Sequence, residues 1–386
     1  MKIFTNVQDK AVGGISRMMN TFVETILETD PSVSFHFAIV SSDKELKVPE
    51  KRKYEKMHYG FLSDGLVLSS DFYPQAISRS RSLEDLKSNL SVLVDFYLES
   101  IKRSKPDVIL INGTYYRPYA LLQAARQMNI PYIVYVHGSV VQEGKGLPAP
   151  VLSLLTEMEK DFYDKNASYI FPSNAALKGV RFSEMGLPDQ FHVIYNSLEK
   201  SFFVSKKPKT KDRYTVGFAL RWESVKNTDF ILDFIKFNKN SPKPFIIKVL
   251  SDLSAEDSQP YENEFTDFLR PKTKEKMVEF YQEMDVIINP SFFETFGYVP
   301  AEAIAVGTPA IISPAQGISE VFLKCGLERL ISDFGSVFVI HEKIHGIIQM
   351  GISPEEIGKL REELDPVRLS KKILSVLFDK AKNKTT

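Results

Sequence analysis

The chain of 386 residues has a single cysteine, Cys325. One cysteine excludes a disulfide scaffold and a cysteine-based metal centre, and it fits a reducing compartment. Surplus charge is also missing: Lys and Arg total 49, Asp and Glu total 49, and the net charge is zero. Without excess cations little is available to neutralise a phosphate backbone, so nucleic acid is not expected as a partner. No stretch reaches the roughly 18 uninterrupted apolar residues of a membrane-crossing helix. The opening Met1-Lys2-Ile3-Phe4-Thr5-Asn6 lacks the apolar core of a signal peptide, so a cytoplasmic location is expected. No period of about 20 to 50 residues is visible, which argues against solenoids and propellers.

What is there is ordinary for a globular protein: 43% hydrophobic and 25% charged residues, in a length that suits two domains. Short apolar runs alternate with helix-like segments. Strands are expected at Lys2–Val7, Phe35–Val40, Asp107–Ile111, Tyr132–Val136, Ser168–Phe171 and Phe191–Tyr195. Helices are expected from Gly14 to about Glu28, over Leu83–Arg103, Pro118–Met128 and Leu152–Lys165. Continuous apolar strands separated by helices imply a parallel sheet covered on both faces. The charged stretch Lys206-Lys207-Pro208-Lys209-Thr210-Lys211-Asp212 reads as a linker. Beyond it the alternation restarts, with strands at Tyr214–Ala219, Phe245–Leu250, Val286–Asn289 and Ala310–Ser313. The expected fold class is α/β, with two doubly wound Rossmann-like domains, 1–205 and 206–365, facing a central cleft. A C-terminal helix, 366–386, would pack back on the first domain. In such sheets ligands sit outside the carboxyl ends of strands. The basic, aromatic segment Lys51–Tyr59 suits a solvated face, or contact with anionic lipid or an acidic acceptor.

The densest chemical signal is Pro290-Ser291-Phe292-Phe293-Glu294-Thr295-Phe296-Gly297-Tyr298-Val299-Pro300-Ala301-Glu302-Ala303, directly after a strand. Pro300 suits a first helical turn, and Gly307 followed by Pro309 marks that helix's end. Glu294 then lies in a loop and Glu302 in the helix. A wholly helical interval would separate them by about 12 Å at 1.5 Å per residue. A retaining glycosidase pair stands about 5 to 5.5 Å apart, so these carboxylates suit two ends of one extended ligand better than one anomeric carbon. The amides of Gly297, Tyr298 and Val299, at a helix start between them, suit a phosphate. Sugar, diphosphate and ribose follow that order in a nucleotide sugar; two solvated glutamates would explain the spacing equally well.

Three weaker elements accompany it. Leu220-Arg221-Trp222-Glu223-Ser224-Val225-Lys226-Asn227 carries a fork-shaped and a point cation past a strand, suited to a diphosphate. Gly13-Gly14-Ile15-Ser16-Arg17 lets a backbone approach an anion, or forms a tight turn, and is not the G-x-G-x-x-G fingerprint. His137-Gly138-Ser139 follows a strand, where a histidine points toward the expected cleft or serves the core. No metal site is expected, since Arg221 and Lys226 can supply the charge.

In order and spacing these elements resemble the retaining GT-B glycosyltransferases of the family-4 type, the glycosyl transferases group 1. Glu294 to Glu302, with Phe296-Gly297 inside, resembles the family's signature. Arg221 and Lys226 resemble its diphosphate clamp, Gly13-Gly14 its glycine loop, and His137-Gly138 its His-Gly pair. Ser173-Asn174 and Ile194-Tyr195-Asn196-Ser197 are also similar to family landmarks. The chain departs at Leu220 and Asn227, where the family often has glycine, and at Ser251-Asp252-Leu253, where it often has Gly-Asp-Gly. The resemblance implies sugar transfer from a UDP- or GDP-sugar type donor to an acceptor hydroxyl. Retention, front-face attack and no cofactor are implied with it. The first domain would take a saccharide, lipid-linked or protein acceptor, and the second the donor. Arg221, Lys226, Glu294 and His137 would be catalytic. Gly13, Gly14, Phe296, Gly297, Tyr298, Val299 and Glu302 would bind the donor. Peripheral contact with the inner membrane face fits such acceptors. A nucleotide-sugar epimerase of the same fold, or a non-catalytic nucleotide-sugar-binding partner of a transferase, are the alternatives.

Overall fold

The computed structural model describes residues 1–8, 14–40, 58–60, 77, 79–144, 147–163, 167–180, 188–206, 213–270 and 273–382. They form two compact units: Met1–Ser197 with Pro366–Thr386, and Leu198–Asp365. Both are parallel α/β sheets of Rossmann-like, doubly wound type. Most of the segment 51–59, including all its cations, lies outside the described residues, as do Gly13 and 207–212.

The first unit holds seven parallel strands: β1 (Lys2–Gln8), β2 (Ser34–Val40), β3 (His58–Gly60), β4 (Val108–Asn112), β5 (Tyr132–Tyr135), β6 (Ser168–Phe171) and β7 (Gln190–Val193). Their order is β3-β2-β1-β4-β5-β6-β7. Strands β4, β5 and β6 are buried along their whole length, as runs such as Val-Ile-Leu-Ile require when helices cover both faces. Tyr119, Phe162, Tyr97 and Leu121 fill the core on one side, each buried ring or branched chain stabilising by about 1.5 to 3 kcal/mol. The order reverses between β1 and β4. There the backbone ladder, which pairs Ile3–Thr5 with Val108–Leu110, gives way to a side chain. Asn6 Nδ2 donates to Asn112 O at 3.0 Å, and Asn112 N–H donates to Asn6 Oδ1 at 2.9 Å. The C-terminal helix Pro366–Lys382 packs against helix Gly14–Thr29 of this unit.

One expectation changes here. The long helix over Leu83–Arg103 is two helices, Leu83–Asn89 and Ser91–Ser104, broken at Leu90. Asn89 and Ser91 flank the break, and such residues favour local side-chain bonding over helix interior. Asn89 Nδ2 donates to Ser80 Oγ at 2.9 Å.

The second unit holds β8 (Thr215–Ala219), β9 (Ile246–Leu250), β10 (Thr266–Leu269), β11 (Val286–Asn289) and β12 (Ala310–Ile312), in the order β10-β9-β8-β11-β12. Again the order reverses once, between β8 and β11. Strand β10 was not evident in the sequence. It is a four-residue edge strand with an aspartate inside, after a bridge from Asn263 to Thr266. The units part at Ser197, ahead of the expected 205. Residues 198–206 are tied to the second unit: Leu198 N–H donates to Leu364 O at 3.0 Å, and Arg361 Nη2 to Val204 O at 2.7 Å.

Strand β8 meets β11 closely because Gly217 has no side chain. A Cβ there would lie 2.6 Å from both Ile287 Cδ1 and Met284 Cγ. Gly217→Ala should therefore cost about 1 to 3 kcal/mol through overpacking. Chemical denaturation checks this, and an unchanged midpoint would contradict the tight apposition.

Candidate active site

The carboxyl ends of β8 and β11, where the second sheet reverses its order, carry most of the polar residues singled out in the sequence. Beyond β8 a short turn, Ser224–Lys226, ends at Asn227 in the left-handed conformation, with φ +56°. Asparagine tolerates that conformation where glycine would otherwise serve. The turn is stitched to the loop after β11. Phe292 N–H donates to Val225 O at 2.9 Å, and Asn227 Nδ2 to Pro290 O at 3.3 Å. These bonds set Lys226 over Glu294. Lys226 Nζ lies 2.8 Å from Glu294 Oε1, with the two side chains 14% and 20% exposed.

Residues that the sequence did not single out support this pair. The Ser291 hydroxyl lies 3.0 Å from Glu294 Oε1 and 2.6 Å from Asn289 Oδ1. Gln316 Nε2 donates to Asn289 O at 2.8 Å, and Ser313 Oγ to Ser291 O at 2.5 Å. Asn289, Ser291, Ser313 and Gln316 are all buried. The available signal was their placement: polar residues at the ends of the apolar strands β11 and β12 or in the loops that follow them.

Gly297 stands at φ +109°, and a Cβ there would meet Ile318 Cγ2 at 2.9 Å. Glycine is required on both counts. It caps helix Tyr298–Val306 without a side-chain bond. First-turn N–H groups have no acceptor within a helix, and Pro300 has no N–H at all, so Tyr298 and Val299 carry the donors. Phe296 is buried and packs edge-to-face on Tyr298 at 5.3 Å.

The remaining residues have other surroundings. Arg221 is 64% exposed and pairs with Glu223 at 3.1 Å. Glu302 is 1% exposed, and its Oε2 accepts from Tyr281 Oη at 2.8 Å, which ties two helices together. Gly14 and His137 belong to the first unit. Gly14 starts its helix and is partly exposed. His137 is buried and stacks on Tyr135, with ring centroids 4.1 Å apart. Burial pushes its imidazole down to about 3, so it is neutral at physiological pH.

One metal-type spacing escaped the reading of the sequence: His341-Glu342-Lys343-Ile344-His345 on helix Val337–Met350 has the His-Glu-x-x-His pattern of a zinc helix. His341 is buried against Phe234, Phe237 and Phe245. Among the described residues no three His, Cys, Asp or Glu side chains gather to hold a metal. Nor is any described helix long and apolar enough to cross a membrane.

Comparison with known proteins identifies the family and the fold. The family model for glycosyl transferases group 1 matches residues 199–363, and that for glycosyltransferase family 4 matches 70–201. An uncharacterized glycosyltransferase of Methanocaldococcus jannaschii is 29% identical over 243 residues, 53% of this chain and 61% of that protein. The chain thus spans less than two thirds of that relative's length. The sucrose-phosphate synthase of Thermosynechococcus elongatus has the same fold, with a TM-score of 0.75 at 14% identity over 97% of this chain and 98% of that one. Anabaena HepE in complex with UDP-glucose superposes with a TM-score of 0.68 at 14% identity, over 98% and 100%. The chain belongs to the GT-B glycosyl transferases of group 1.

The buried His137 has a consequence for stability. The folded ring stays neutral down to about 3, whereas the unfolded chain takes up a proton near 6.5. Between those values unfolding binds a proton, so this contribution is full above pH 6.5 and is lost as pH falls. His137→Gln should flatten the acid-side loss of stability between about pH 7 and 4. Parallel curves for the two proteins would contradict the burial of a neutral ring.

Proposed function

We propose that the protein moves a sugar from a nucleotide-diphosphate donor, of the UDP- or GDP-sugar type, to an acceptor hydroxyl. The acceptor is a glycan, glycolipid or glycoprotein, the configuration at the anomeric carbon is retained, and no metal takes part. The reaction takes place in the cytoplasm or at the inner membrane face. The observation that carries this reading is the Lys226–Glu294 ion pair beside the helix start at Gly297, at the point where the sheet order reverses. A charge pair of low exposure, next to amides and a helix dipole, is a site prepared for an anion that carries hydroxyls. A neighbour of the same fold that holds UDP-glucose supports the choice of donor class.

In this reading Lys226 pairs with Glu294, and an arriving diphosphate competes for the ammonium. Tyr298 and Val299 amides receive the phosphate oxygens. Arg221, on an exposed surface, turns from Glu223 to the same group. As the bond from the anomeric carbon to the phosphate oxygen breaks, its electron pair passes to the diphosphate, where Lys226 and Arg221 stabilise the growing charge. The acceptor oxygen bonds to the anomeric carbon on the face the phosphate leaves. Its proton passes to a phosphate oxygen, so no protein nucleophile is needed. Glu294 hydrogen-bonds sugar hydroxyls. Glu302, oriented by the Tyr281 hydroxyl, serves the ribose end.

Lys226→Ala should lower kcat by roughly 100- to 1,000-fold, the scale of one lost charge-stabilising donor, with an unchanged circular dichroism spectrum. Activity within twofold of the parent would remove Lys226 from the site. Nuclear magnetic resonance of the first-formed product should show the donor's anomeric configuration, and an inverted product overturns front-face transfer. Activity should also persist in excess chelator.

A further inference from the structure

The reaction just described leaves one corner of the second unit unused. In the order β10-β9-β8-β11, strand β9 ends between two aromatic residues. Asp252 lies two residues beyond β9 and is exposed. Trp222 lies beyond β8, and its backbone N–H donates to Asp252 Oδ1 at 2.7 Å. Phe268 lies within β10, and the Trp222 and Phe268 rings stand edge-to-face at 6.0 Å, both partly exposed. Leu253 N–H bonds Ser251 Oγ at 3.3 Å, and Ser251 N–H bonds Leu269 O at 3.0 Å, so the turn that carries Asp252 is fixed to the sheet.

Adjacent strands are about 4.8 Å apart, which puts the end of β9 roughly 7 Å from the reversal point between β8 and β11. A nucleoside attached to a diphosphate there reaches that corner. On the other flank Asn289, Ser313 and Gln316 are bonded to one another and buried, and offer no open corner for a ring.

We propose that Trp222, Asp252 and Phe268 bind the donor's nucleobase and that Asp252 selects guanine. This rests on the nucleotide-sugar reading above and narrows it to a guanosine diphosphate sugar. An ionised carboxylate only accepts hydrogen bonds. Guanine offers two donors side by side, its ring N1–H and its exocyclic amino group, which match two carboxylate oxygens. Uracil offers one N–H between two carbonyl oxygens, and those oxygens face the carboxylate unfavourably. Adenine sets its amino group next to a ring nitrogen that accepts, so one carboxylate oxygen is left opposed. The Trp222 N–H holds Asp252 in place before the base arrives, and a partly exposed aromatic ring gives any base a face to stack on.

Calorimetric titration of the full chain with GDP and with UDP tests the assignment. GDP should bind at least about tenfold more tightly than UDP, within the range of one bidentate base contact. Asp252→Asn should weaken GDP about tenfold and leave UDP within twofold, whereas Trp222→Ala should weaken both. Equal or tighter binding of UDP, or an equal loss of both nucleotides in Asp252→Asn, overturns the guanine assignment and leaves the donor site intact. If neither nucleotide binds, the donor-site reading falls with it.

Discussion

The second unit is organised around one ion pair across the reversal point of its sheet. Lys226 leaves β8 and Glu294 leaves β11, and the loops carrying them are bound backbone to backbone between Val225 and Phe292. Removing one partner from a pair this sheltered leaves an uncompensated charge, which is more costly than the pair itself is stabilising. The pair therefore demands either its own partner or a ligand that replaces it. At 14% and 20% exposure it is sheltered, yet still within reach of solvent.

Behind the pair the molecule invests in rigidity. Asn289, Ser291, Ser313 and Gln316 hold the loop after β11 by side-chain bonds, and Gly297 turns the chain into its helix at an angle that only glycine reaches without strain. Such support keeps a binding group within a fraction of an ångström of its working position. The two glutamates of the signature then divide their duties. Glu294 faces a cation beside the loop after β11, whereas Glu302 is buried on its helix, with one oxygen held by the Tyr281 hydroxyl. A pair that looks symmetrical in the sequence is asymmetrical in its surroundings.

The first unit uses the same architectural device with neutral groups. Its sheet also reverses once, and there Asn6 bridges β1 and β4 where the ladder ends. A polar side chain at that place lets two strands separate without stranding backbone donors. One unit thus sets a charge pair at its reversal point, and the other an amide. His137, just beyond β5 of the same sheet, is held neutral by burial.

Much of this was legible in the order of residues. Buried parallel strands advertise themselves as continuous apolar runs, and β4, β5, β8, β9 and β11 lie where those runs predict. The start of helix Tyr298–Val306 was legible from Gly297 and Pro300, because one requires a positive φ and the other has no N–H to lose. The chain's order could not reveal partners that meet only when strands assemble: Lys226 with Glu294, Tyr281 with Glu302, and Gln316 with Asn289. Nor could it expose the edge strand β10, whose aspartate interrupts the pattern, or show that His341 and His345, at metal-ligand spacing, turn toward phenylalanine. Local patterns determine which segments become strands and helices, since periodicity and backbone angle are properties of neighbours in the chain. Only tertiary structure decides which charges face one another, because those contacts depend on the order of strands in the sheet.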